Sequence, residues 1–340
     1  MKERTLIAVD IGGTKTAAAA VRARLPRAGS VAGDVRPPVV LRHVVSSTVT
    51  SSAKACLAAL VESIAALVTE TRAPNGAAAD PGGLEGIGVG TASMVDFSAG
   101  RIVESVNLPL RDVPLRAVLE DRFGVPVVID NDATAATIGE HVFGAGAGTR
   151  EMLMLTLGTG VGGGIIAGGR PYRGFSGAAG ELGHVTVNVD GPQCRGDCPN
   201  RGCLEMYVSG TTMGAAALAE ARAKPASALG RALAAGQTVD GPLLTRLAGD
   251  GDPDAVAVVT RIGEDLGAGL VTLVNVFNPE LVVIGGGAAA AGEVLLAPAR
   301  RVLAARALRP QRDEVRVVPA RFGNDAGVVG AAALALTELF

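Results

Sequence analysis

The sequence predicts an α/β protein of two lobes, and three observations carry that prediction. Its 340 residues exceed the size at which one hydrophobic core usually stops growing. Short apolar strand-like runs alternate along the chain with longer stretches of helical spacing. A strand, a glycine-rich turn and a second strand occur once in each half, which points to a duplicated domain.

The first such unit is Leu6 to Val9 and Ala17 to Val21, joined by Asp10-Ile11-Gly12-Gly13-Thr14-Lys15. A helix is predicted from Lys54 to Thr71, a strand from Gly86 to Gly90, and a helix from Val113 to Phe123. Val125 to Ile129 reads as a strand ending at Asp130-Asn131-Asp132, followed by a helix from Ala133 to Phe143. The second hairpin is Met152 to Leu157 and Gly164 to Ala167 around Gly158-Thr159-Gly160-Val161-Gly162-Gly163. Helices are expected at Gly210 to Ala221, Ala255 to Phe277, Glu293 to Ala307 and Ala326 to Leu339, with a buried strand from Leu281 to Ile284 running into Gly285-Gly286-Gly287. Arg24 to Pro38 and Ala73 to Gly83 read as surface loops.

Charge and composition exclude several classes. With 31 basic and 33 acidic residues the formal net charge is -2, so no polyanionic partner such as nucleic acid is indicated. The hydrophobic share is 48%, yet charges interrupt each apolar run before it could cross a bilayer. Met1 to Arg4 lead straight into a strand and leave no room for a cleaved leader, so a cytoplasmic location is expected.

The glycine turns carry the first chemistry. Successive backbone N–H groups, with no side chain in the way, converge on an anion, and two such turns suit a polyphosphate. Either turn alone could be an ordinary tight hairpin; Asp10 and Lys15 beside the first favour phosphate. Gly158, Gly160 and Gly163 also fit the dinucleotide fingerprint, but that motif needs a helix next and here a strand follows. Asp132 stands just past a strand end at the start of a helix, where it could be a catalyst or a helix cap.

Of four cysteines, Cys194, Cys198 and Cys203 crowd into one stretch, with His184 nearby. One His and three Cys complete a tetrahedral zinc set, and a set closed by protein ligands is structural, the alternative being free thiols.

Together these segments resemble the ROK family of bacterial sugar kinases and repressors. The resemblance rests on Asp10 through Lys15, Asn107-Leu108-Pro109, Asn131-Asp132, Leu157 through Gly174, Gly180 to His184, Cys203-Leu204-Glu205 and Gly285 to Gly287. It implies an actin-like, ribonuclease H-like fold with a duplicated core: a smaller N-terminal lobe of residues 1–132 with 325–340, and a larger C-terminal lobe of residues 133–324 bearing the zinc loop. It implies a kinase that uses ATP and Mg2+ on the 6-hydroxyl of a hexose, with Asp132 as catalytic base and a structural Zn2+. Asn107, Asn131, Asp132, Glu181, His184 and Glu205 would meet the sugar. Asp10, Gly12, Gly13, Thr14 and Lys15, with Gly158, Thr159, Gly160, Gly162 and Gly163, would meet the phosphates, and Gly285, Gly286 and Gly287 would border adenosine. His184, Cys194, Cys198 and Cys203 would hold zinc, with His184 using its other nitrogen on the sugar.

Two departures stand out. Relatives commonly space two zinc cysteines as CxC, whereas Cys194 and Cys198 are CxxxC; and Ser93 stands where many relatives carry Gly beside the sugar. Glucose is the first expected substrate, with N-acetylmannosamine, N-acetylglucosamine and fructose as alternatives and polyphosphate as a less favoured donor. From another class, a sugar-binding regulator without kinase activity is the rival. Only Met1 to Thr5 precede the first strand, where a family repressor would need a DNA-binding helix-turn-helix. A homodimer or homotetramer is expected from the resemblance alone.

Overall fold

The computed structural model describes residues 2–13, 15–27, 29–47, 52–72, 83–105 and 107–340. Most of the loop expected at Ala73 to Gly83 lies outside them, as does Thr14. The chain divides into two compact units, Met1–Arg150 with Gly164–Gly180 and Asn324–Phe340, and Glu151–Gly163 with Glu181–Gly323. By this division the first unit continues past Asp132 to Arg150.

The first unit opens with β1 (Arg4–Ile11), β2 (Lys15–Ala23) and the edge strand β3 (Val39–Ser47). Helix α1 (Ala53–Arg72) leads to β4 (Gly86–Thr91) and to a small sheet of β5 (Met94–Asp96), β6 (Arg101–Glu104) and β7 (Arg111–Val113). Next come α2 (Leu115–Phe123), β8 (Val127–Asn131) and α3 (Asp132–Phe143). The helix expected from Val113 begins two residues later, because Pro114 stands at its N-cap and Val113 is taken by β7.

The main sheet has the order β3-β2-β1-β4-β8, with β1 to β3 antiparallel and β1, β4 and β8 parallel. The parallel strands β1, β4 and β8 carry apolar runs: Ile7, Val9, Ile87, Val89 and Ile129 are fully buried and pack with Ile64 and Leu67 of α1. A strand covered on both faces reads as a continuous hydrophobic run, which is why β1, β4 and β8 are visible in the sequence. The edge strand β3 is not visible there, since most of its residues are exposed and no buried stripe marks it.

The second unit opens with β9 (Met152–Leu157); β10 (Val161–Ala167), within which the division between the units falls, comes next, and β11 (Arg170–Pro171) lies in the Gly164–Gly180 segment of the first. The turn between β9 and β10 is thus shorter than expected, because Gly162 and Gly163 already belong to β10. Six helices come next: α4 (Glu205–Val208), α5 (Gly210–Ala223), α6 (Ala228–Ala234), α7 (Gly241–Gly249), α8 (Pro253–Phe277) and, after β12 (Leu281–Gly285), α9 (Glu293–Arg306). The short α10 (Gln311–Glu314) and β13 (Arg316–Pro319) complete the unit, and α11 (Ala326–Leu339) belongs to the first. The second sheet runs β11-β10-β9-β12-β13, with its outer pair antiparallel and β9, β12 and β13 parallel. This repeats the plan of the first sheet and realises the duplication expected from the two hairpins. Among the described residues no helix is long and apolar enough to cross a membrane.

Close helix packing in the first unit depends on missing side chains. A Cβ on Gly139 of α3 would stand 2.9 Å from the backbone of Gly330 on α11, and one on Gly330 would meet the Ala135 carbonyl. Gly88 of β4 has the same relation to the Ala331 carbonyl. Val at Gly330 must therefore force α3 and α11 apart. We expect Gly330→Val to lower unfolding free energy by at least about 1–3 kcal/mol, the usual range for overpacking, as read by chemical denaturation; an unchanged midpoint would contradict this contact.

Candidate functional site

Strand register brings the first group of candidate residues together. Along the parallel strands Asp10 pairs with Gly90 and Gly90 with Asp130, while Ile11 pairs with Thr91 and Thr91 with Asn131. Asp10, Asn131 and Asp132 consequently gather at the carboxyl ends of β1 and β8, the edge where open α/β sheets bind ligands. Gly12 N–H donates to the Lys15 carbonyl at 2.9 Å and closes the first turn. Asn107 lies over that turn, so close that a Cβ on Gly13 would be 2.7 Å from the Asn107 Cβ. Lys15 is exposed at the start of β2.

The cap of α3 is not Asp132 but its neighbour. Asn131 is the N-cap of α3, its side-chain oxygen accepting from Ala133 N–H at 2.9 Å and Thr134 N–H at 3.1 Å. Asp132 is the first helical residue, with one carboxylate oxygen 2.8 Å from Ala133 N. The Asn131 amide donates to the Ser93 carbonyl at 3.4 Å, and the Ser93 hydroxyl is 3.0 Å from that of Thr91. Ser93 is buried, and its polar group is satisfied locally.

Asp10 is held in an unfavourable place for a charge. Burial first, and the negative Asp132 second, push its pKa up to about 6. Its carboxylate also abuts Gly327 in the first turn of α11, where any Cβ would collide with it.

A supporting ion-pair cluster had no signal in the sequence. Arg173 donates through Nε to Asp130 at 2.8 Å and through Nη2 to Glu338 at 2.8 Å, and its guanidinium stacks 3.7 Å from the centre of the Phe97 ring. Asp130 is 3% exposed, and burial raises its pKa against the opposing pull of Arg173. It also accepts from Asn131 N–H at 2.8 Å, so the cluster anchors the residue next to Asp132. Only three-dimensional proximity joins residues that are 43 and 165 positions apart.

The second unit gathers the remaining candidates. At the turn between β9 and β10, Gly158 N–H donates to the Gly160 carbonyl at 2.9 Å. The carboxylate of Glu205, at the start of α4, accepts from Val161 N–H at 2.8 Å, and a Cβ on Gly160 would collide with it. Gly158 and Thr159 border a cavity of about 870 Å³ lined also by Thr211, Asp240, Arg246 and Gly287. Gly285 is buried in β12, and Gly286, at a φ of 82°, is exposed but has no room for a Cβ beside the Leu157 backbone. The contribution of α7 was missed, although Asp240 as an N-cap accepting from Leu243 N–H, with Pro242 just inside, is a helix-start signal that the sequence carries.

His184, Cys194, Cys198 and Cys203 come together as a group, their ligand atoms all within 4.8 Å of one another. His184 presents Nδ1 to Cys194 Sγ at 3.6 Å, while its Nε2 lies 3.8 Å from Glu181 Oε2. Burial pushes the Cys194 thiol up to about 12, with the other two thiols adding to the shift, and burial raises Cys203 as well. Three crowded thiols and one imidazole form a donor set that fits tetrahedral zinc, whose charge would offset the thiolates. The longer CxxxC spacing does not disperse the set, since Gln193 donates to the carbonyls of Cys198 and Asn200 at 3.1 Å and pins the loop.

The sequence profile of the ROK family matches residues 6–338. The chain belongs to the ROK family. Glucokinase of Streptomyces coelicolor is 36% identical over 338 residues, 97% of this chain and 96% of that one. Glucokinase of Halalkalibacterium halodurans is 40% identical over 248 residues, 73% of this chain and 74% of its own. A Streptomyces griseus ROK glucokinase, solved with glucose and AMPPNP, superposes with a TM-score of 0.77 at 34% identity, covering 97% of this chain and 98% of that one. The relatives also include the xylose repressor of Caldicellulosiruptor bescii, 31% identical over 262 residues, which are 76% of this chain and 64% of the repressor. The ROK sugar kinase fold, with the duplicated sheet plan expected of the actin-like class, is the fold of this chain.

The Asp10 shift has a sign. A carboxylate whose folded pKa lies above its unfolded value binds more protons folded than unfolded, so stability falls as pH rises from about 4 to 6 and the full penalty remains above that window. Without magnesium or nucleotide, Asp10→Asn should stabilise the protein at pH 7.5 by about 3 kcal/mol and make no difference at pH 3.5. Equal denaturation midpoints at pH 7.5 would contradict the burial argument.

Proposed function

We propose that this ROK protein is an ATP-dependent hexose kinase that makes glucose 6-phosphate. The observation that carries the reading is the pair of carboxylates Asp10 and Asp132, placed by β1 and the start of α3 beside a glycine turn. Phosphoryl transfer needs little covalent chemistry from a protein. It needs positioning, charge neutralisation and one acceptor for the proton of the attacking hydroxyl.

Asp132 is that acceptor. Its carboxylate takes the 6-hydroxyl proton as the sugar oxygen bonds to the γ-phosphorus and the bond to the bridging oxygen of ADP breaks. By the family resemblance Asn107 and Asn131 of the first unit, and Glu181, His184 and Glu205 of the second, are the residues given to the sugar. In the first unit the turn at Gly12 and Gly13, with Lys15, offers phosphate the Gly13 N–H; in the second unit the turn from Gly158 to Gly160 offers the Thr159 and Gly160 N–H groups. The cavity beside Thr211 and Gly287 takes the adenosine. Magnesium, when bound, neutralises phosphate charge, and Asp10 is the carboxylate that would face it, directly or through water. Zinc on His184, Cys194, Cys198 and Cys203 would be structural, leaving His184 Nε2 for the sugar. Glucose is favoured by the glucose-bound relative and by Asn107-Leu108-Pro109. A cytoplasmic location, with ATP at hand, belongs to the same reading.

Purified protein is assayed for ADP release with magnesium ATP and glucose, mannose, fructose, N-acetylglucosamine or N-acetylmannosamine. We expect glucose-dependent turnover, and a loss of about 10²- to 10⁴-fold in Asp132→Asn with nucleotide affinity held. Full activity in that variant would remove Asp132 from the mechanism, and sugar binding without turnover would instead support a sensor related to the family's repressors.

A further inference from the structure

A polar relay within the second unit joins the cysteine loop to the second glycine turn. Arg195 lies between Cys194 and Cys198, inside the lengthened spacing. Its Nη1 donates to Ser209 Oγ at 3.0 Å and its Nη2 to Thr212 Oγ1 at 3.4 Å. Ser209 is fully buried and caps α5 by accepting from Thr212 N–H at 3.3 Å. Thr212 Oγ1 in turn reaches the carbonyls of Glu205 and Met206, at 3.3 and 3.1 Å, and so ties α5 to α4.

The residues around this junction hold the turn. Gly210 N–H donates to the Gly158 carbonyl at 2.7 Å, Thr211 Oγ1 donates to the Thr159 carbonyl at 2.7 Å, and Glu205 accepts from Val161 N–H at 2.8 Å. Gly158, Thr159 and Val161 are therefore each fixed by α4 or α5, and Arg195 is the cation that enters the α4–α5 junction from the cysteine loop. Hydrogen bonds from a guanidinium are stronger than those between neutral groups, and this one ends on a buried hydroxyl that would otherwise lose a partner.

We propose that Arg195 is a positioning residue for the nucleotide: an ordered cysteine loop fixes Arg195, Arg195 fixes the α4–α5 junction, and the junction sets the turn at Gly158 to Val161. The proposal rests on the reading of that turn as a phosphate site. It assigns the lengthened CxxxC loop a task beyond holding a metal.

The test is calorimetric titration with magnesium AMPPNP, together with zinc content by elemental analysis and thermal unfolding of each protein. Arg195→Ala should bind the nucleotide about tenfold more weakly while keeping its zinc and a cooperative unfolding transition. Arg195→Lys, which keeps one donor for Ser209, should recover part of the loss. Stripping metal with 1,10-phenanthroline should weaken wild-type binding toward that of Arg195→Ala and leave Arg195→Ala unchanged. Wild-type affinity in Arg195→Ala, no recovery in Arg195→Lys, or equal weakening of both proteins by the chelator would each overturn the relay. If Arg195→Ala fails to fold, Ser209→Ala must show the same loss of affinity, and normal binding there overturns the proposal. Wild-type protein that binds no AMPPNP would overturn the kinase reading itself, a result distinct from all of these.

Discussion

The first unit is organised around a carboxylate in the wrong medium. Asp10 is carried to the end of β1 by a strand whose other residues are almost all buried, and there it meets the negative Asp132 at the end of the neighbouring strands. Two like charges in a poorly solvated place raise the free energy of the folded state unless a cation or a proton joins them. The surrounding structure is what holds them there. Register along β1, β4 and β8 fixes their height, the Asn131 cap fixes the start of α3, and Arg173 secures Asp130 beneath it.

Close backbone approach is the second constraint, and it appears in both units. Gly88, Gly139 and Gly330 let α11 lie on β4 and α3, while Gly263 and Gly267 of α8 meet the carbonyls of Leu295 and Ala299 on α9. These contacts explain part of the chain's 47 glycines without recourse to flexibility. The same absence of side chains at Gly160 lets Glu205 reach the second turn, so packing and site geometry share one device.

Much of this was legible in the sequence because buried parallel strands and long amphipathic helices leave strong patterns. Leu281–Gly285 and Ala326–Leu339 fall where their apolar runs placed them. The carboxylates, the two turns and the Cys and His set were legible as residue types in order, and the family resemblance joined them. Other features were not. Strand β3 has no buried stripe, Gly162 and Gly163 already belong to a strand, and Gly285 is buried at the end of β12. The Arg173 cluster and the Arg195 relay join side chains distant in sequence, and no local pattern announces them.

Asp10 and Asp132 form one electrostatic unit, and carbon-13 NMR of labelled aspartate side chains tests this most directly. In the free protein Asp10 should titrate near 6, and Asp132→Asn should lower that midpoint because one of its two causes is gone. An Asp10 midpoint in the ordinary carboxylate range, unmoved by Asp132→Asn, would contradict the account.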